Sequence, residues 1–243
     1  MNLTKLVQTY VLNQNVGSPI FISDIMHYIE QFVDDQNVCQ QIRKNVNVIL
    51  MRMVKDGNYL KRFGTGVYYR DDTDQSEEIR IDCIELINRT YIEDKRGNIF
   101  GYLTGTAFLH KLGLIEKPPC EIIIATNAKR NGNIEATDME FKLVNPPTIV
   151  TRENYHYLQI LDLIKNDLIN GNNLQYSIAL THFMNKYQLK EAKLVALAVD
   201  FYSQKVVLKA AEFISNKVYL ENQKDEIIIT LDTMKQKELY END

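Results

Sequence analysis

Residues 38–70, VCQQIRKNVNVILMRMVKDGNYLKRFGTGVYYR, decide how the fold is read. Val38, Ile42, Val46, Ile49, Leu50 and Met53 recur at about 3.6-residue spacing, which predicts a helix from about Val38 to Lys55 with one buried stripe. Asp56-Gly57-Asn58 ends it. The opposite side of that helix carries Gln40, Arg43, Lys44, Asn47 and Met51. Arginine and lysine donate to guanine, glutamine and asparagine pair with adenine, and each of them also holds a phosphate. Tyr59–Phe63, Gly64-Thr65-Gly66 and Val67–Tyr69 then read as strand, glycine turn and strand, with Lys61 and Arg62 just before the turn. The Gly-x-Gly has neither the third glycine nor the following helix of a dinucleotide-binding loop.

Upstream, Leu3, Leu6, Val7, Tyr10 and Val11 mark a first helix over residues 3–14, broken by Gly17-Ser18-Pro19. Ile20-Phe21-Ile22 is a short extended stretch, and Ser23 is placed to cap a second helix reaching Phe32. Asp34–Asn37 turns the chain into the third helix. Three helices followed by a basic hairpin predict a winged helix-turn-helix over residues 1–70 that contacts DNA through Gln40, Arg43, Lys44, Asn47, Lys61 and Arg62. A winged helix used only for protein contacts is the competing reading.

Charge agrees with that division. The chain carries a net charge of −4. Residues 1–70 carry +3 and the remainder −7. Within 43–70 stand seven basic residues and one acid, Asp56. A basic segment in an acidic protein points to a nucleic-acid contact confined to that segment, or else to a solvated helix face and hairpin.

Asp71–Ser76 is a polar, acidic stretch read as a linker. Residues 77–243 are read as a mixed α/β domain with a helical end, so the fold class of the whole chain is α+β. A helix is expected at about 77–91, with Ile79, Cys83, Ile84, Leu86 and Ile87 inward, and another at about 104–112 stopped by Gly113. Strands are expected at 121–126, 140–144, 148–150 and 226–231, and helices at 152–169, 175–187, 190–201 and 203–220.

MRMVKDGNYLKRFGTGVYYR (51–70), GYLTGTAFLHKLGLIEKPPCEIIIATN (101–127) and ENYHYLQILDLI (153–164) together resemble the AbiEi family of type IV antitoxins, over roughly residues 1–170. The resemblance implies an N-terminal winged helix-turn-helix that represses its own operon at inverted repeats in double-stranded DNA. It also implies a C-terminal domain that counteracts a cognate nucleotidyltransferase toxin without a stable complex. The family's DNA-contact positions fall here on Arg43, Lys44 and Asn47 of the third helix and on Lys61 and Arg62 of the hairpin. The resemblance carries over no catalytic residue.

Nothing in the sequence calls for an enzyme, a cofactor or a metal. His27, His110, His156 and His182 are dispersed, and no Cys/His cluster or G-x-S-x-G elbow is present. Glu140-Phe141-Lys142, with Asp138 and Glu121, faintly suggests a metal-dependent nuclease, against the commoner alternating strand with Phe141 and Leu143 inward. Tyr155, His156 and Tyr157 are candidates for base stacking or for core packing. A ligand-sensing C-terminal domain on a transcription regulator is the other alternative. Cys39, Cys83 and Cys120 form no pattern, the start has no signal-peptide run, and the longest apolar run is Leu194–Val199. A cytoplasmic setting is expected.

Overall fold

The computed structural model describes residues 2–32, 39–56, 59–72, 79–128, 141–168 and 174–222, the side chains of residues 39, 40, 174 and 218–222 excepted. The described chain is a mixed α+β protein with two small sheets. It divides into two units, one made of the described residues up to Asn98 and one of those from Ile99 onward.

The first unit begins with α1 (Leu3–Leu12), capped by Asn2, whose Oδ1 accepts from the Lys5 amide at 3.2 Å. Val7, Tyr10 and Val11 are its buried face. β1 (Pro19–Phe21) leads directly into α2 (Ile22–Glu30). Ser23 is therefore inside α2 and does not cap it. The first amide of that helix instead donates to the Gly66 carbonyl at the hairpin tip, at 3.1 Å. α3 (Cys39–Asp56) buries Ile42, Val46, Leu50 and Met53 as its spacing predicts. Val38, at the start of that expected helix, lies outside the described residues.

β2 (Leu60–Gly64) and β3 (Val67–Arg70) form the antiparallel hairpin, whose tip needs Gly66 at φ +77°. β1 pairs with the far side of β3, so the strand order is β1-β3-β2. Pro19 is tolerated because β1 is an edge strand. One core joins α1, α2, α3 and the sheet through Val11, Ile25, Leu50, Leu60 and Tyr68.

α4 (Cys83–Tyr91) belongs to this unit, although the sequence reading drew a boundary at residue 70. Asp82 caps it, accepting from the Glu85 amide at 2.9 Å, while the Asp82 amide donates to the Gly17 carbonyl at 2.8 Å. Leu86, Ile87 and Tyr91 are buried, whereas Ile84, expected inward, is 61 % exposed. Residues 73–76 of the expected linker lie outside the described residues.

In the second unit β4 (Gly101–Thr104) runs antiparallel to β5 (Ile122–Thr126), and β5 runs parallel to β6 (Phe141–Val144). β4 is an addition to the sequence reading. Its four residues abut α5 (Gly105–Lys111), whereas the sequence reading begins a helix at about 104 and gives residues 101–103 no element. Gly105 makes the strand-to-helix corner at φ +64°, where a Cβ would stand 3.3 Å from the Ile123 side chain. The strand expected at 148–150 does not form. Instead the Asn127 side-chain amide takes the place of a neighbouring strand, donating to the Val150 carbonyl and accepting from its amide, both at 3.0 Å. The helical end is α6 (Tyr155–Lys165), α7 (Leu174–Lys186), α8 (Glu191–Phe201) and α9 (Gln204–Asn222). α6 is buried from Tyr157 through Ile164, including Gln159 and Asp162, and makes the centre of the unit. The strand expected at 226–231 lies outside the described residues. Among the described residues no helix is long and apolar enough to cross a membrane.

Candidate nucleic-acid interface

The side of α3 turned away from the core presents Arg43, Asn47 and Met51 at one-turn intervals. Arg43 and Lys44 are exposed, Asn47 is half-buried, and Met51 is 41 % exposed, an unusual position for a methionine. Gln40 is in the first turn of the same helix, and its side chain lies outside the described residues.

The hairpin separates the two residues that the sequence paired. Lys61 and Arg62 are consecutive in β2 and so point to opposite faces of the sheet. Lys61 Nζ stands 2.5 Å from Asp71 Oδ2, and the Asp71 side chain is only 5 % exposed. The Lys61 charge is committed to that internal pair. Arg62 is exposed, and its Nε donates to the Gly64 carbonyl at 3.2 Å. Arg70 is likewise tied inside the unit. It pairs with Asp72 and donates to the carbonyls of Leu12 and Gln14 at 2.7 and 2.6 Å, fastening β3 to the end of α1. Of the seven basic residues in 43–70, Arg43, Lys44, Arg52, Lys55 and Arg62 are the exposed ones.

Arg43, Asn47 and Arg62 line a single cleft of about 490 Å³ within the first unit. One wall is α3 and another is the hairpin with Phe63 and Val67. The end of β1 contributes Phe21, the start of α2 Ile22 and Ser23, and α4 Leu86 and Thr90. Among the described residues that line it there is no aspartate or glutamate. Lys44 is not part of it.

Sequence reasoning missed the α4 side of this cleft because it assigned that helix to the second domain. The helix is pinned by a nearly buried ion pair, Arg89 Nη2 to Asp24 Oδ2 at 2.7 Å, with the Arg89 guanidinium 5.1 Å from the centre of the Phe21 ring. Lys95, just beyond α4, donates to the Tyr10 hydroxyl at 2.7 Å. The apolar stripe with Leu86 and Ile87 was legible, but a stripe does not say which unit it packs on.

The second unit uses its polar residues internally. Asp162, on the buried face of α6, accepts from the hydroxyls of Tyr102 and Tyr202, each at 2.9 Å. Burial pushes its carboxyl above the ordinary carboxylate range, against the opposing pull of the two hydroxyls. Burial likewise raises both tyrosines. His156 is sandwiched between the rings of Tyr155 and Tyr187, with centroids 3.8 and 3.9 Å away, so both its faces are covered by protein. Burial lowers it from 6.5 to about 4, and its Nδ1 pairs with Gln159. Tyr157 is buried and its hydroxyl accepts from the Lys190 amide at 3.0 Å. The stacking candidates His156 and Tyr157 are thus packed. Of the nuclease candidates, Asp138 and Glu140 lie outside the described residues, while Glu121 and Lys142 are exposed. Among the described residues no three His, Cys, Asp or Glu side chains gather in a way that would hold a metal ion.

Comparison with curated proteins and with solved structures returns no match to either. One family model matches residues 14–189, spanning both units and including every described residue of the cleft. On that match the chain belongs to the family described as a family of unknown function (DUF6088).

Proposed function

We propose that this chain is a DNA-binding transcription regulator whose first unit is a winged helix-turn-helix. The observation that carries the reading is the exposed face of α3, with Arg43, Lys44 and Asn47, standing beside a hairpin whose outward cation is Arg62. The order helix, strand, helix, helix, hairpin, with strands arranged β1-β3-β2, supports it. In this reading α3 enters the major groove, Arg43 and Asn47 meet base edges, and Lys44 and Arg62 hold phosphates. Gln40 belongs to the same helix and joins them at its N-terminal end. The resemblance to type IV antitoxins extends the reading. The chain represses its own operon in the cytoplasm, and its C-terminal part counteracts a nucleotidyltransferase toxin without forming a stable complex with it. It is not an enzyme and uses no cofactor.

The test is a gel shift of the full chain on its own promoter and on random duplex of equal length. Preferential binding that weakens steeply with salt is expected, because each neutralised phosphate releases counterions. Equal binding to both duplexes removes the operator claim, and no binding removes the DNA reading. Rescue of growth in cells expressing the neighbouring nucleotidyltransferase tests the antitoxin claim separately.

A further inference from the structure

We infer that the cleft between α3, the hairpin and α4 is an effector site for a free mononucleotide, whose binding competes with DNA for Arg43, Asn47 and Arg62. The inference rests on the DNA-binding reading only for the competition, since nucleotide binding itself is measured without DNA. A flat contact with duplex would need only α3 and the hairpin. Here α4 adds a third side and gives a concavity of about 490 Å³, within the usual size range of small-molecule sites. Its chemistry is divided as a nucleotide requires. The two guanidiniums offer planar forks for a phosphate, with no carboxylate among the described lining residues. Phe21, Phe63 and Met51 supply apolar surface for a flat ring, and Asn47 offers both a donor and an acceptor to a base edge. On the α4 side Leu86 and Thr90 close the third wall.

The probe is adenosine 5′-monophosphate, titrated into the full chain by calorimetry, beside inorganic phosphate and adenosine. The nucleotide should bind more tightly than either fragment. Arg43→Ala and Arg62→Ala should each weaken it roughly tenfold, as loss of one charge-assisted contact does. Both arginines are exposed, so these variants keep the fold, which circular dichroism checks. In a gel shift the nucleotide should release promoter DNA. No nucleotide binding, or binding no tighter than phosphate, overturns the site. Binding that ignores Arg43→Ala and Arg62→Ala places the nucleotide elsewhere and also overturns it. Nucleotide binding with undisturbed promoter binding overturns the competition. Nucleotide binding in a chain that binds no DNA leaves the site standing and sinks the DNA-binding reading instead.

Discussion

At the scale of single residues, the two basic positions of the hairpin have different tasks. Lys61 offsets the buried Asp71 carboxylate, whereas Arg62 faces outward. Lys61→Ala leaves a carboxylate in a poorly solvated place and should lower stability by about 1–3 kcal/mol in urea unfolding. Arg62→Ala should stay within about 0.5 kcal/mol of the parent, as surface changes do, while lowering the salt slope of DNA binding by about one. Equal stability losses in the two variants would contradict this division. Asp162 and His156 set opposite pH dependences in the second unit. The folded state holds the Asp162 proton at a higher pH than the unfolded chain does, so its contribution is fullest in acid and fades as pH rises through the raised pKa. His156 is depressed, so its contribution is full above 6.5 and is lost as pH falls through about 4. Asp162→Asn should therefore steepen the loss of stability on acidification, and His156→Phe should flatten it. Urea midpoints measured from neutral pH downward check both signs, and parallel curves for all three proteins would refute them.

At the scale of elements, α4 is the piece whose placement changes the account. Leu86, Ile87 and Tyr91 are buried in the first unit, and burying each such side chain is worth about 1.5–3 kcal/mol before entropy is counted. The Arg89–Asp24 pair locks it down, and removing one member of a buried pair costs about 3–5 kcal/mol. A fragment of residues 1–98 should consequently unfold at a higher urea concentration than a fragment of residues 1–72. Arg89→Ala should remove much of that difference. Coincident unfolding curves for the two fragments would show that α4 contributes nothing to the stability of α1, α2, α3 and the hairpin.

At the scale of the whole molecule, the charge asymmetry separates two proposed activities. Residues 1–70 carry +3 and the rest −7, and α3 and the hairpin expose Arg43, Lys44, Arg52, Lys55 and Arg62. The change Arg43/Lys44/Arg62→Ala should abolish repression in a promoter-reporter assay yet spare growth rescue from the toxin. Lys61 is left out of that set because its loss would confound folding with binding. If rescue disappears together with repression in a variant folded by circular dichroism, neutralisation depends on DNA binding.

Local spacing was enough to locate the helices, the hairpin and the residues on the outer side of α3, because a periodic apolar stripe and a glycine turn involve neighbours along the chain. The basic character of 43–70 is equally a property of the sequence. Which of those cations are paired is not, since Lys61 and Arg70 meet partners that folding brings to them. Arg89 meets Asp24 across 65 residues, and Tyr102 meets Asp162 across 60. Those encounters put α4 beside α2 and made Asp162 a core residue. β4 acquired its strand character only by pairing with β5, and Asn127 replaced a strand that spacing alone predicted. Pairing and burial depend on residues distant in the chain, and so tertiary structure alone decided them.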